Sequence, residues 1–336
     1  MAARGSACLG TGWAVADSGT TPKSQQGACN AVKILLFGAN GQVGRACRDA
    51  LRQPGWELTA FGRKQADFIC PDQVTACVQR ARPDMVINAA AYTDVERAEK
   101  EPDVASKVNG ECVGALAAAC ASMNIPLIHL STDFVFDGQG SRAYREDDPV
   151  APINTYGASK LKGERLLRAV HPKYLCLRTS WVFSAQPGNF LSTMLRLAGQ
   201  RTTLSVVGDQ VGCPTYAGDI AEVIAHLIRR YEEFEDLPWG LYHCSSPEPC
   251  SRYEFARHIF AEAEAEGLLD PAPWVKKISS YQFPTLAARP AYSALDSSKL
   301  ADLLGHPLPH WNRGIRQACQ ALANRDVPAI TPSVLN

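Results

Sequence analysis

The sequence lacks three features: an excess of either charge, a long apolar run and a C-x-x-C pair. Its 336 residues include 34 Lys plus Arg and 34 Asp plus Glu, so no overall positive field attracts nucleic acid or anionic lipid. No apolar run approaches the roughly 18 to 20 residues needed to span a bilayer. We therefore expect a soluble, cytoplasmic protein whose partners are small molecules, with no nucleic acid and no membrane among them.

The 12 cysteines are spread along the chain, and several of them, such as Cys112, Cys120 and Cys176, lie in apolar periodic segments. Reduced thiols in a core explain this distribution better than a disulfide framework does. His306 and His310 do not form a zinc-binding pattern with neighbouring acidic or thiol residues. We therefore expect no metal site.

Residues 1–30 are rich in Ala, Gly, Ser and Thr and differ from the rest of the chain. We expect a loose tail there, because the faintly apolar stretch 7–16 lacks the basic n-region and long h-region of a signal peptide. An organelle presequence and a mistaken start codon stay open. The chain as a whole exceeds the length at which one hydrophobic core usually stops growing, so we expect two lobes or one large α/β unit with an appendage.

Short apolar runs alternate with helical periodicity from Lys33 onward. The run 34–37 stops abruptly at Gly38, as a buried parallel strand does, and apolar residues then recur at helical spacing over 43–51. The same reasoning predicts strands at 57–61, 84–90, 127–131, 174–179 and 240–244, and helices at 74–81, 104–122, from 156 onward and at 219–232. This alternation indicates right-handed βαβ crossovers in a doubly wound parallel sheet.

The predicted fold is therefore α/β, with a doubly wound, parallel-sheet Rossmann domain and a smaller α/β lobe. We assign the Rossmann domain to residues 31–180, with return segments at about 218–245. The smaller lobe lies mainly in 181–330, where the alternation loosens. Because of the return segments, we expect no single boundary between the two.

Three glycines, Gly38, Gly41 and Gly44, follow the first predicted strand directly and open the first helix. Glycine at these positions permits a tight turn, a close approach of backbone N–H groups to a pyrophosphate and close helix–strand packing. A glycine triplet alone is a weak signal, but its place between strand and helix strengthens it. The loop predicts a dinucleotide site, and its G-x-x-G-x-x-G spacing is typical of short-chain dehydrogenases/reductases.

The second predicted strand ends in a basic pair, Arg63 and Lys64, where an NAD-selective site usually has an acid for the ribose 2′-hydroxyl. Arg suits a 2′-phosphate, so we favour NADPH as the cofactor, with NADH as the alternative. The basic pair could also be a solvated turn without a role in binding. Asp67 and Phe68 are expected to flank the adenine. The segment Ala90-Ala91-Tyr92-Thr93 is expected to line the cofactor's ribose and phosphates.

Tyr156 and Lys160 are four residues apart on a predicted helix, so both project from one face. We expect the Lys160 ammonium to lower the pKa of the tyrosine, which would act as a proton donor. This spacing is common by chance, but Thr132 ends a strand upstream, and strand carboxyl ends face the ligand crevice. Thr132 would hydrogen-bond a substrate carbonyl while Tyr156 protonates its oxygen. The alternative for Ser131-Thr132-Asp133 is a helix cap or Asx turn.

Longer motifs resemble those of the dTDP-4-dehydrorhamnose reductase family, in the extended short-chain dehydrogenase/reductase superfamily. The similarity extends from Val32 to about Leu322. Its motifs are LLFGANGQVG, INAAAYTDVERAE, STDFVFDG, YGASKLKGE, LRTSWVF, NFLSTMLRLA, VGDQVGCPTY and ARPAYSALDSSKL. The resemblance implies reduction of the C4 keto group of a dTDP-linked 6-deoxy-hexulose to give dTDP-L-rhamnose, with Tyr156, Lys160 and Thr132 at catalytic positions.

The resemblance also implies binding residues in both lobes and makes the smaller one a sugar-nucleotide-binding lobe. The cofactor-contacting positions that it implies are Gly41, Gln42, Val43, Asp67, Phe68, Ala91, Tyr92 and Thr93. The substrate positions that it implies are Thr132, Asp133, Trp181, Gln210, Pro214, Thr215 and the Arg289-Pro290 loop. Core packing is the alternative for Trp181, as buried tryptophans are common; for Asp133 the alternative is a helix cap.

Some members of this family dimerise around magnesium held by glutamates. The corresponding positions here are Ala46 and Gly218, which offer no ligand to a hard cation. We therefore do not expect a magnesium-bridged dimer, while a homodimer of another kind stays open.

Two other functions remain open from the sequence. A nucleotide-sugar epimerase or dehydratase of the same superfamily would share the fold, the cofactor loop and the Tyr/Lys pair. A regulatory subunit similar to the β subunit of methionine adenosyltransferase would keep the fold and act by binding a partner. Turnover of the keto-sugar by the purified protein distinguishes these functions.

Overall fold

The computed structural model describes residues 31–324, so the tail expected at 1–30 lies outside the described residues. The strands are β1 Val32–Phe37, β2 Trp56–Phe61, β3 Met85–Asn88, β4 Leu127–Thr132, β5 Tyr174–Thr179, β6 Val182–Phe183, β7 Thr203–Val207, β8 Val211–Gly212, β9 Thr215–Tyr216, β10 Gly240–His243, β11 Cys250–Ser251 and β12 Trp274–Ile278.

The α-helices alternate with the main strands through the first half of the described chain. They are α1 Gln42–Ala50, α2 Pro71–Ala81, α3 Val95–Lys100, α4 Pro102–Ser106, α5 Cys112–Ser122, α6 Thr155–Val170, α7 Phe190–Ala198, α8 Ala217–Phe234, α9 Arg252–Ala265, α10 Ser298–Leu304 and α11 Trp311–Ala323. None of the helices between residues 31 and 324 is long and apolar enough to cross a membrane.

The main sheet has six strands in the order β10-β5-β4-β3-β1-β2, and every neighbouring pair is parallel. Helices α1, α8 and α10 contribute to the apolar core on one face, and α2, α5 and α6 contribute to the core on the other. The protein therefore has the doubly wound Rossmann fold that the alternation predicts. β1 lies between β2 and β3, and the order reverses there, which opens a crevice at the carboxyl ends of these strands.

A separate apolar cluster forms the core of the smaller lobe. It is built from α7, α9, α11 and the parallel pair β7–β12. The chain passes between the two lobes more than once. After α7 to β9, helix α8 packs against α1 and β10 pairs with β5, before α9 and β12 return to the smaller lobe.

The predicted helix 104–122 is interrupted in the structure. A π-helical turn, Lys107–Glu111, joins α4 to α5. The Asn109 side chain, which lies in this turn, bonds both the N–H and the carbonyl of Tyr92 and donates to the Ser159 hydroxyl. The turn thereby places one side chain between the Tyr92 segment and α6.

The ten cysteines of the described part are free thiols, and all except Cys70 are buried. Burial raises the pKa of most of these thiols, for example that of Cys47 to about 12, because the low-polarity core disfavours a thiolate. They therefore behave as small apolar side chains of the core.

Candidate active site

A cavity of about 630 Å³ lies at the carboxyl ends of β1, β4 and β5, between the sheet and the smaller lobe. Many residues predicted from the sequence line it together. They are Gly41, Gln42, Val43, Ala91, Thr93, Thr132, Asp133, Tyr156, Lys160, Trp181 and Arg289. The structure thus brings the glycine loop, the strand-end hydroxyl and the Tyr/Lys helix to one place.

The glycine loop is shaped by close backbone contacts. Gly38 has φ +80°, and a Cβ there would lie 2.4 Å from the carbonyl carbon of Ala89. A Cβ on Gly44 would lie 2.1 Å from the carbonyl oxygen of Gly38. Both positions therefore require glycine for the turn itself, whereas a Cβ on Gly41 would meet that oxygen at 3.4 Å, an ordinary contact.

The start of α1 fits a phosphate group. Gly41 caps the helix without a side-chain hydrogen bond, and the first turn carries no acidic residue. The first N–H groups of the helix are therefore not blocked by a side chain, and the positive end of its dipole faces the crevice. These features match a dinucleotide pyrophosphate.

A second cavity continues from the glycine loop to the carboxyl end of β2. Its walls include the predicted residues Gly38, Gly41, Arg63, Asp67, Phe68, Ala90, Ala91 and Tyr92. Arg63 and Lys64 are exposed, and both line a shallow pocket beside Asn40 and Gln73. The size and charge of this region fit the adenosine half of a dinucleotide with a phosphate on its ribose.

Some predicted cofactor residues also have structural contacts. Phe68 is buried and packs edge-on against Phe37, with ring centroids 5.6 Å apart. The Tyr92 hydroxyl donates to Glu101 at 2.8 Å. Gly44 is buried in the helix–strand contact and does not line the cavity. For Gly44, the structure supports the packing role of the third glycine in this motif.

Gln42 joins the glycine loop to the smaller lobe. Its side-chain Oε1 accepts hydrogen bonds from Ser184 at 2.9 Å and from Asn189 at 2.8 Å. Asn189 also caps α7, where it forms a reciprocal capping box with Ser192. The position of α7 is therefore tied directly to the cofactor loop.

Helix α6 is held close to the end of β4. Asn154 caps it by accepting from the Gly157 N–H at 2.8 Å, and a Cβ on Gly157 would lie 2.1 Å from the Phe134 carbonyl oxygen. Only glycine permits this approach. The result is that Tyr156 lies edge-on against the Phe134 ring, with centroids 5.8 Å apart.

Lys160 is 2% exposed and donates from Nζ to the Leu130 carbonyl at 2.6 Å. This hydrogen bond fixes the ammonium against the last residues of β4, one helical turn from Tyr156. Burial lowers the pKa of Lys160 to about 8, because the site disfavours the charged form. The side chain is still mainly protonated at neutral pH.

The expected decrease in the pKa of Tyr156 is wrong for this structure. Burial raises the pKa of the phenol to about 12, and a hydrogen bond with Thr132 opposes the rise only in part. The physical reason is desolvation, which penalises the phenolate more than its neighbours stabilise it. Tyr156 is therefore a neutral phenol at pH 7, the form that can donate a proton.

Asp133 is buried beneath the predicted catalytic residues, and both of its carboxylate oxygens accept hydrogen bonds. Oδ1 accepts from the Thr132 hydroxyl at 3.1 Å, and Oδ2 accepts from Ser180 at 3.1 Å and Ser293 at 2.6 Å. Burial raises its pKa, which these hydrogen bonds partly offset. Asp133 orients the Thr132 hydroxyl and links β4 to the loop that carries Ser293.

A buried ion pair lies one turn beyond Lys160. The Arg178 guanidinium donates to both carboxylate oxygens of Glu164, at 2.9 and 2.7 Å, and Ser131 donates to Glu164 as well. Arg178 is 3% exposed. This pair has no local sequence signal, because an acid on a helix and a base on a distant strand have no characteristic spacing.

Trp181 forms one wall of the cavity and has φ +46°. A Cβ on Gly212 would lie 2.6 Å from the Trp181 ring, so the indole packs closely against the backbone there. On a ring face lies Arg252, with Cζ 3.4 Å from a ring centroid. Arg252 was also missed, although Ser251 and Glu254 form the capping-box pattern that marks its helix start.

The remaining predicted substrate residues differ in position. Arg289 lines the cavity and pairs with Glu96 at 2.6 Å. Thr215 is fully buried, and its hydroxyl donates to the Cys213 carbonyl and accepts from the Ser246 N–H. Neither Gln210 nor Thr215 is among the residues that line the cavity, so their contact with substrate stays a prediction.

Between residues 31 and 324, no group of three or more His, Cys, Asp or Glu is placed to hold a metal ion.

The chain is similar to known proteins over almost all of its described length. A family model described as the RmlD substrate binding domain matches residues 32–324. The dTDP-4-dehydrorhamnose reductase of Aggregatibacter actinomycetemcomitans is 42% identical over 286 residues, which cover 84% of this chain and 97% of that protein. The protein of the same name from Escherichia coli K12 is 38% identical over 295 residues, which cover 87% and 98%.

A solved structure gives the same result in three dimensions. The dTDP-4-dehydrorhamnose reductase of Bacillus anthracis, in complex with NADP, matches with a TM-score of 0.78 at 36% identity. The match covers 85% of this chain and 98% of that one.

Proposed function

This chain belongs to the RmlD substrate binding domain family, and from that premise we propose that it is a dTDP-4-dehydrorhamnose reductase. It reduces the C4 keto group of dTDP-4-dehydro-6-deoxy-L-mannose with NADPH to give dTDP-L-rhamnose. The observation that carries the proposal is the meeting of Thr132, Tyr156 and Lys160 with the glycine loop in a single cavity.

The protein's own residues would handle the proton and the orientation of the carbonyl. Bound NADPH supplies the hydride that reaches C4. Tyr156 donates its phenolic proton to the carbonyl oxygen as that oxygen gains negative charge, with the Lys160 ammonium held one helical turn away at the end of β4. A pKa of about 12 keeps the proton on Tyr156 until the developing alkoxide, a stronger base, takes it. Solvent then returns a proton to the phenolate.

Thr132 has a separate task in this mechanism. Its hydroxyl is held by Asp133 and lies at the carboxyl end of β4, facing the cavity. When substrate binds, the single proton of this hydroxyl would turn from Asp133 to the substrate carbonyl and hold it against Tyr156. Asp133 acts through Thr132 and is a positioning residue.

The test is turnover of the dTDP-keto-sugar by purified full-length protein, with NADPH and NADH assayed side by side. We expect one NADPH consumed per keto-sugar, dTDP-L-rhamnose as product and a preference for NADPH, which the basic Arg63–Lys64 turn supports. Product that is isomerised or dehydrated without net oxidation of cofactor would assign the chain to the epimerase or dehydratase alternative. Absence of turnover, with NADPH still bound, would favour the regulatory alternative.

Tyr156→Phe tests the assigned proton donor. We expect kcat to fall by about 10²–10⁴-fold, the usual contribution of a positioned general acid, with the dissociation constant of NADPH unchanged. Tyr174→Phe is the matched control, because Tyr174 starts β5 at the far end of the same sheet. Full activity in Tyr156→Phe would refute the mechanism.

A further inference from the structure

The proton donor Tyr156 lies in the first turn of its helix, where a helix has the fewest hydrogen bonds of its own. α6 begins at Thr155, so Tyr156 is its second residue. The first four N–H groups of a helix have no intrahelical acceptor, and helix ends fray. The position of the Tyr156 hydroxyl therefore depends on contacts that hold this turn from outside.

Glu99 of α3 makes such a contact. Its Oε1 accepts from the Thr155 N–H and its Oε2 accepts from the Thr155 hydroxyl, both at 2.8 Å. Both oxygens of one carboxylate thus bind the residue next to Tyr156, at a helix N-terminus whose dipole favours a negative charge. The cap by Asn154 on the Gly157 N–H joins neighbours in the chain, so it fixes the shape of the turn and not its place in the cavity.

Helix α3 connects this contact to the cofactor side of the cavity. The helix starts at Val95, just after the predicted cofactor segment 90–93, and both Thr93 and Val95 line the cavity. Glu99 follows Val95 by four residues and lies on the same face of the helix. The cavity wall and the Glu99 carboxylate therefore belong to one short helix and lie one turn apart.

We propose that Glu99 is a positioning residue of the reaction, which holds the first turn of α6 in place relative to the cofactor segment and so keeps the Tyr156 hydroxyl within hydrogen-bond reach of the substrate carbonyl. This inference rests on the proposed function, because it concerns the proton that Tyr156 donates. Glu99 does not line the cavity and acts through Thr155. A displacement of about 1 Å in such a site can cost about 10²-fold in rate.

A double-mutant cycle tests whether Glu99 acts through Tyr156. We measure kcat and KM for the keto-sugar in wild type, Glu99→Ala, Tyr156→Phe and the double variant. Glu99→Ala alone should lower kcat about 10- to 10²-fold, with KM and the NADPH dissociation constant unchanged. In the Tyr156→Phe background the same substitution should change kcat less than about twofold, because the proton donor is already absent.

Two milder variants examine the same contact. Glu99→Gln can still accept from the Thr155 N–H while its amide donates to the Thr155 hydroxyl, so its kcat should stay within about threefold of wild type. Thr155→Val removes only the hydroxyl and should lower kcat less than Glu99→Ala does. Its loss should likewise disappear in the Tyr156→Phe background, which provides the test if Glu99→Ala does not fold.

Glu111→Ala is the matched control, because Glu111 also contacts α6, through Lys162 at 2.9 Å on an exposed face. It removes the same charge and should leave kcat unchanged. A melting curve and the NADPH dissociation constant of each variant report whether the fold and the cofactor site are intact.

The inference fails if Glu99→Ala, or Thr155→Val in its place, lowers kcat by the same factor in both backgrounds, since that indicates a general packing role. It also fails if Glu99→Ala keeps the wild-type kcat, or if Glu99→Gln loses as much as Glu99→Ala. These results leave the proposed function standing. A wild type that does not reduce the keto-sugar refutes the proposed function, and the inference with it.

Discussion

The buried ammonium of Lys160 has a consequence for stability that can be measured separately from catalysis. The side chain is 2% exposed, and burial lowers its pKa to about 8. A lysine in the unfolded chain has a pKa of about 10.4. Between these two values the unfolded state binds more protons than the folded state, so stability rises with pH in this window.

Lys160→Met removes this titration while keeping the length of the side chain. We expect wild type to gain about 3 kcal/mol relative to the variant between pH 8 and pH 10.5, which follows from the difference between the two pKa values. Urea denaturation of both proteins at pH 7.5 and pH 10.5 measures this, because other titrating groups cancel in the comparison. Parallel changes in the two proteins would contradict the lowered pKa.

Single residues also show where sequence reasoning reaches its limit. Tyr156, Lys160 and Thr132 could be selected because each lies at a position that the fold defines, at a strand end or on one helix face. Arg252 could not, because its contact with Trp181 joins residues about 70 positions apart, and nothing in either local pattern encodes it. The pKa of Tyr156 was misjudged for a related reason: desolvation depends on all surrounding groups, which the four-residue spacing does not report.

At the scale of elements, the β1–α1 turn uses its glycines for two different purposes. A Cβ on Gly44 would lie 2.1 Å from a main-chain oxygen that cannot move without displacing the strand, whereas one on Gly41 would make an ordinary 3.4 Å contact. Gly41 also has φ −74°, which alanine adopts easily. Gly44 thus serves the fold, and we propose that Gly41 serves the cofactor.

We therefore expect Gly44→Ala and Gly41→Ala to fail in different ways. Gly44→Ala should lower the free energy of unfolding by about 1–3 kcal/mol or more through overpacking. Gly41→Ala should keep its melting temperature but bind NADPH more weakly, because the methyl group occupies space beside the helix N-terminus. Thermal unfolding and fluorescence titration with NADPH separate the two effects; equal behaviour of the variants would disprove the assignment.

The ion pair between α6 and β5 gives a second prediction at this scale. Arg178→Met leaves Glu164 buried without its cation, and we expect a loss of about 3–5 kcal/mol in unfolding free energy. Glu164→Leu combined with Arg178→Met should recover much of it. Arg142→Met, which breaks the exposed Arg142–Asp148 pair, is the control and should cost about 1 kcal/mol or less. A small effect of Arg178→Met would show that the pair contributes little.

Regular elements were predictable because burial imposes a period on the sequence. The predicted strand 174–179 and helix 219–232 agree with β5 and α8 to within two residues at each end. The π-helical turn at Lys107–Glu111 was not predictable, because it is stabilised by the tertiary contacts of Asn109. The two-residue strands of the smaller lobe, such as β8, are too short to show any period.

At the scale of the whole molecule, assembly is the main open prediction. Ala46 and Gly218 lie on α1 and α8, which pack against each other, and neither side chain can ligate a cation. We expect a chelator such as EDTA to change neither the activity nor the mass measured by light scattering after gel filtration. Dissociation or loss of activity on chelation, restored by magnesium, would show that a metal does bridge subunits.

The repeated passage of the chain between the lobes has a consequence for how this scaffold can diversify. Because α8, β10 and α10 belong to the first lobe and alternate along the chain with segments of the second, no continuous stretch encodes either lobe. A recombination event cannot exchange the substrate lobe as a cassette without also replacing an edge strand of the main sheet. New substrates are therefore accessible to this architecture through substitutions in place, among the residues that line the cavity, more readily than through domain shuffling.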